Sequence, residues 1–78
     1  MQMGIHSVEH LREQAYSDAL ECVAAGLSRD ETFTALVTQD RFFPLSSDEL
    51  RDEMADAYRD ALKSGVERDD IDPSWRSR

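Results

Sequence analysis

Apolar residues recur every three or four positions in three segments of the chain, which is the spacing of one face of an α-helix. The clearest segment is 46–64, where one face collects Leu50, Met54, Ala57, Tyr58, Ala61 and Leu62. Ser46 and Glu49 have the spacing of a capping box at its start, and Gly65 is placed to end it in the left-handed conformation. The pattern predicts a helix over 46–64.

Two further helices are expected upstream, over 7–25 and 28–39. Gly26 follows the first of them as a terminator, and Ser28 with Glu31 forms a second capping box at the start of the next. The apolar track of the first helix is broader than one partner helix usually covers, which favours a bundle or a homodimer.

Two phenylalanines stand in the connection between the second and third helices. Phe43 precedes Pro44, and a residue before proline is disfavoured in helical conformation, so an extended connector is expected. We expect Phe42 and Phe43 to close the bottom of the core, one from each side. The alternative is a partly exposed aromatic that binds a partner.

The last residues, 67–78, are dense in charge and show no helical or alternating apolar pattern. They predict a flexible, charged C-terminal tail after a single domain at 1–66. Ile71 and Trp75 either pack back on the helices or form an anchor that orders on a partner or on a sister chain. The predicted fold is therefore all-α: a small three-helix bundle with a flexible C-terminal tail.

Charge narrows the choice of partners. The 78 residues carry 17 acidic and 9 basic side chains, for a formal net charge of −8. Phosphate contacts need a basic surface, so neither direct nucleic-acid binding nor an anionic membrane is expected. The chain has one cysteine, Cys22, no apolar run long enough to cross a bilayer and no visible secretion signal, which together favour the cytoplasm.

The sequence contains two motif-like strings that deserve a structural test. His6 to His10 spells H-x-x-E-H, the inverted zinc-protease string, but Ser7 is the expected helix cap and would leave His6 outside the helix. We therefore predict no metal site, no cofactor and no enzymatic activity. Residues 24–28 resemble the turn of helix-turn-helix DNA binders, and the resemblance extends over about twenty residues around them. The helix that follows would then be the recognition helix. That helix carries Asp30 and Glu31, which disfavour phosphate contacts.

The remaining candidate is an acidic stripe on the third helix. Its five carboxylates fall within an arc of roughly 100°, and they are Glu49, Asp52, Glu53, Asp56 and Asp60. Carboxylates one helical turn apart lie about 5–6 Å from each other, which is close to the phosphate spacing of a DNA strand. The stripe either binds a basic protein surface or serves solubility alone.

These observations predict a non-catalytic interaction module, a regulator or inhibitor of a larger protein. Its partner is expected to have a basic surface, as nucleic-acid-handling proteins do, so that the acidic third helix would act as a nucleic-acid mimic. Phe42, Phe43 and Trp75 are the expected apolar anchors. The size and composition also suit an accessory protein of a phage or mobile element. The alternative is a self-assembling structural protein, a homodimer or small ring, and a helix-turn-helix DNA binder is the lesser alternative.

Overall fold

The computed structural model describes residues 8–76, and within them it contains three α-helices and three single 3-10 turns. Helix α1 spans Val8–Ala24, α2 spans Arg29–Val37 and α3 spans Ser47–Lys63. The 3-10 turns are Asp40–Phe42, Arg68–Asp70 and Pro73–Trp75. Residues 8–76 contain no β-strand. The predicted all-α three-helix bundle is confirmed, while the predicted cap at Ser7 lies outside the described residues.

The helix ends follow from local hydrogen bonding. Ser46 accepts from the Glu49 backbone N–H at 3.1 Å, and the Glu49 carboxylate accepts from the Ser46 N–H at 2.8 Å. Ser28 and Glu31 make the same reciprocal pair at the start of α2. Gly26 and Gly65 both adopt positive φ, 88° and 101°. Each therefore ends its helix in the left-handed region, as the sequence predicts.

Helices α1 and α3 form the main interface of the bundle and run in the same direction. Arg12 contacts Glu53, and Tyr16 contacts Asp60 about one turn further along α1 and two turns further along α3. Four alanines on the facing sides are fully buried, which lets the two helices approach closely; they are Ala15, Ala19, Ala57 and Ala61.

Helix α2 packs against both α1 and α3. Leu36 and Thr32 are fully buried, and the Thr32 hydroxyl donates to the Ser28 carbonyl at 2.9 Å. Val37 is half exposed. A hydroxyl that is satisfied within its own helix can occupy the core without leaving an unpaired polar group.

The connector before α3 is a 3-10 turn and not an extended segment. Phe43 has helical dihedrals, φ −50° and ψ −39°, and its N–H donates to the Asp40 carbonyl at 3.0 Å. With three residues per turn, Phe42 and Leu45 share one face and both are buried, whereas Phe43 points away. The expectation that both phenylalanines close the core is therefore wrong for Phe43 and correct for Phe42.

The C-terminal residues are packed as far as the structure describes them, so the predicted flexible tail is wrong for 67–76. Ile71 and Trp75 belong to the same core as the helices. The Trp75 indole N–H donates to the Leu27 carbonyl at 3.0 Å, and the Arg29 N–H donates to the Ser74 hydroxyl at 2.8 Å. These contacts fasten the segment over the α1–α2 turn, in agreement with the interpretation that Ile71 and Trp75 pack back on the helices.

Candidate protein-interaction surface

The carboxylates of α3 lie along the flank that faces α1, where they join two more from that helix. Arg12 and Glu53 line a shallow groove together with Glu9 and Glu13. We call the combined surface the acidic face, and it consists of Glu9, Glu13, Glu49, Asp52, Glu53, Asp56 and Asp60. Seven carboxylates are accompanied here by two guanidinium groups, those of Arg12 and Arg59. The face therefore carries most of the net negative charge of the chain.

Two members of the acidic face are bonded across the helix interface. The Arg12 Nε donates to the Glu53 carboxylate at 2.7 Å, and the Glu53 side chain is only 13% exposed. This hydrogen bond is the main cause that raises the pKa of Arg12, and the charges of Glu53, Glu49 and Asp52 add to it. The Arg12 guanidinium therefore stays charged, and it links α1 to α3.

The second cross-helix contact is also donated by α1, but its donor is an uncharged hydroxyl group. The Tyr16 hydroxyl donates to the Asp60 carboxylate at 2.6 Å. That bond, then burial, and then the charges of Asp60, Asp56 and Glu53 raise the pKa of Tyr16 above its usual value of 10.0. The phenol remains a proton donor well into alkaline pH, so the bond to Asp60 persists.

Some carboxylates of the predicted stripe are bonded within the molecule, and others are exposed to solvent. Glu49 completes the helix cap, and Glu53 and Asp60 are bonded to α1. Asp56 pairs with Arg59 one turn along α3, whereas Asp52, 72% exposed, lies 3.8 Å from the Arg12 guanidinium. Asp52 and Asp56 are therefore the stripe residues best placed to meet another molecule.

The contribution of α1 to this surface was missed by sequence reasoning. Glu9 and Glu13 flank Arg12 one turn apart, but their proximity to α3 depends on two helices running in parallel. No local sequence pattern indicates in which direction α1 and α3 run relative to each other. The one available signal was the spacing of Glu9 and Glu13 on the helix flank beside Arg12.

The three predicted apolar anchors separate into buried and exposed residues. Phe42 and Trp75 are core residues, and Trp75 stacks on Tyr58 with ring centroids 5.6 Å apart, so neither is available as a surface anchor. Phe43 is 90% exposed. It borders a groove of about 630 Å³ that is lined also by His10, Leu11, Gln14, Asp40, Arg41 and Pro44.

The groove beside Phe43 lies mainly on a different side of α1 from Arg12. His10 and Gln14, which line its groove, are each two positions from Arg12 in sequence. At about 100° per residue, two positions correspond to about 200°, so the groove lies away from Arg12. Glu13 is three positions from His10, which corresponds to about 60° around the helix, so the groove borders the acidic face at Glu13. The structure therefore has two candidate surfaces, one charged and one apolar.

Cys22 and the zinc-like string add no chemistry to these surfaces. Burial is the first cause that raises the pKa of the Cys22 thiol, and the charge of Asp18 adds to it, which disfavours the reactive thiolate. His6 of the H-x-x-E-H string lies outside the described residues. Between Val8 and Arg76, no three metal-ligating side chains are grouped closely enough to hold an ion.

Comparison with known proteins identifies no family for this chain. Neither family models, curated proteins nor solved structures match the chain significantly. Among the helices of the described part, none has the length and apolar character to cross a membrane.

Proposed function

We propose that the protein is a non-catalytic interaction module that regulates or inhibits a larger protein by binding its basic surface. The observation that carries the proposal is the acidic face, on which α1 and α3 together present seven carboxylates and two guanidinium groups. The single stripe on α3 predicted from the sequence thus becomes part of a wider surface.

The charges of this face are held on rigid elements. The Arg12–Glu53 and Tyr16–Asp60 contacts fix α1 against α3, at 2.7 Å and 2.6 Å. Charges that are already ordered lose little conformational entropy when a partner binds, and opposite fields accelerate encounter. Because helical carboxylates repeat at about the spacing of DNA phosphates, a nucleic-acid-handling protein is the partner class that fits best.

The proposal is tested with two triple variants of equal net charge. The first, Glu13→Gln with Asp52→Asn and Asp56→Asn, removes three charges from the acidic face and with them the Arg12–Asp52 and Arg59–Asp56 ion pairs. Both partners of the Arg12–Glu53 and Tyr16–Asp60 hydrogen bonds are kept. The second, Glu21→Gln with Asp30→Asn and Asp69→Asn, removes three exposed charges elsewhere. Wild type and both variants are immobilised and exposed to nuclease-treated lysate of the source cell, and bound proteins are identified by mass spectrometry.

The expected result is one basic protein that binds wild type and the second variant but not the first. Its retention should fall steeply between about 50 and 500 mM salt, because exposed charge pairs are screened over that range. Duplex DNA added to the purified pair should compete with the module. Equally weakened binding by both triple variants would show that net charge alone is responsible. Undiminished binding by the first variant would also reject the acidic face as the site.

A further inference from the structure

The exposed phenylalanine and the groove beside it form the second candidate surface. Phe43 is 90% exposed, against 50% for Val37 and 42% for Val8, the other large apolar side chains that the structure exposes among residues 8–76. A single exposed apolar residue is ordinary on a protein surface. Here the ring borders a concavity of about 630 Å³ that it does not fill. A projecting side chain therefore stands next to a cavity on one face.

The groove wall is built from fixed side chains. The Arg41 guanidinium donates to the Asp18 carboxylate at 2.5 Å, to the Gln14 amide oxygen at 2.8 Å and to the Gln39 amide oxygen at 2.9 Å. It also lies 4.5 Å above the centre of the Phe42 ring. With Phe42 buried and Arg41 tied to α1, the backbone that carries Phe43 is held in place.

The chemistry of this face is complementary to itself. An interface with two-fold symmetry brings the same patch of both copies together, so a projection must meet a cavity and a positive group a negative one. Phe43 lies beside the groove, and Asp40 lies beside Arg41. Among the described residues that line the groove, one side chain is acidic and one is basic, those of Asp40 and Arg41, unlike the acidic face. In a chain with net charge −8, it is a face on which two copies can meet with little repulsion.

We infer that a second copy of the chain occupies this groove, in a symmetric homodimer in which each Phe43 enters the groove of the other copy. The over-wide apolar track of α1 does not serve this purpose, because Tyr16 and Leu20 already pack against the core of their own chain. One aromatic ring and a short turn make a small interface. The expected dissociation constant is on the order of 10–500 µM, weaker than for interfaces of standard size.

The dimer leaves most of each acidic face uncovered, because the groove borders that face only at Glu13. A dimer would thus carry two acidic faces and gain avidity for a partner with repeated basic sites. The inference does not depend on the proposed function, since it rests on Phe43 and its groove alone.

The test is sedimentation equilibrium of the full chain from about 10 µM to 1 mM, in the concentration range of the expected constant. Three proteins are compared: wild type, Phe43→Asp, and Val37→Asp as a control that places the same charge on another exposed apolar position. Circular dichroism first confirms that all three are folded. A fourth protein lacks residues 1–7, which precede the groove residue His10 in sequence.

The expected result is a dimer for wild type and Val37→Asp, with association at least tenfold weaker for Phe43→Asp. The wild-type dimer should persist in 0.5 M salt, roughly the range in which exposed charge pairs are screened, because its core is apolar. A wild type that stays monomeric to 1 mM overturns the inference, and so does a dimer that Phe43→Asp leaves unchanged. If the shortened chain dimerises and the full chain does not, the groove is occupied by the chain's own N-terminal segment, which also overturns it.

Discussion

Replacing Trp75 by alanine tests whether the C-terminal segment is part of the core. The indole is 8% exposed, stacks on Tyr58 and donates to the Leu27 carbonyl at 3.0 Å. Truncation of a buried aromatic to alanine costs about 3–5 kcal/mol, through lost burial and the cavity left behind. A domain of this size has a free energy of unfolding of about 4–12 kcal/mol, so the variant should lose a large share of it.

The measurement is urea unfolding followed by far-UV circular dichroism, because Trp75 is the chain's one tryptophan and its fluorescence is lost with the substitution. Each kcal/mol should also lower the melting temperature by roughly 4–8 °C. Trp75→Phe separates the contributions. It keeps an aromatic ring against Tyr58 and loses the indole N–H, which leaves the Leu27 carbonyl without that donor and should cost about 1–3 kcal/mol.

The matched control is Phe43→Ala, measured at low micromolar concentration. It removes an aromatic ring of the same class from a position that is 90% exposed, so the free energy of unfolding should change by no more than about 0.5 kcal/mol. A flexible C-terminal tail would instead predict a near-zero effect for Trp75→Ala. A loss below about 1 kcal/mol for Trp75→Ala, or equal losses for the two alanine variants, would refute the packing argument.

Three further outcomes are expected. Ser46→Ala should lower the free energy of unfolding by about 1 kcal/mol in urea titrations, because it removes the helix cap, whereas the neighbouring Ser47→Ala should change it little. Asp60→Asn should lower the pKa of Tyr16 toward 10.0 in a titration of phenolate absorbance. The stabilisation from that bond is present below the unfolded-state pKa and is lost as the pH rises through the raised folded-state pKa; an unchanged titration would contradict the assigned cause. Cys22 should react with a thiol reagent more slowly in the folded chain than in urea, because burial disfavours the thiolate.

The local elements of this fold could be predicted from the sequence because their causes are local. A capping box is decided by residues three positions apart, and a terminating glycine by its own φ preference. Both boxes and both glycines were therefore assigned correctly, and with them the three helices. The connector was not, because the preference of a residue before proline is small and the burial of Phe42 and Leu45 outweighs it.

The candidate surface could be predicted only in part from the sequence. Helical spacing correctly placed five α3 carboxylates on one side, because angular position on a helix follows from residue number. Spacing does not show what that side faces. That Glu53 and Asp60 are bonded to α1 follows from the parallel arrangement of the two helices, which involves residues more than forty positions apart.

The sequence by itself determined the three α-helices, the capped starts of α2 and α3, the glycines after α1 and α3, and which helix carries the concentrated charge, because propensity, capping and periodicity act over a few residues. The tertiary structure alone decided which of two adjacent phenylalanines is buried. It also decided that Trp75 belongs to the core and that acids from two helices form one surface. Those outcomes depend on the apolar area and the hydrogen bonds that distant segments offer one another, and no local pattern encodes them.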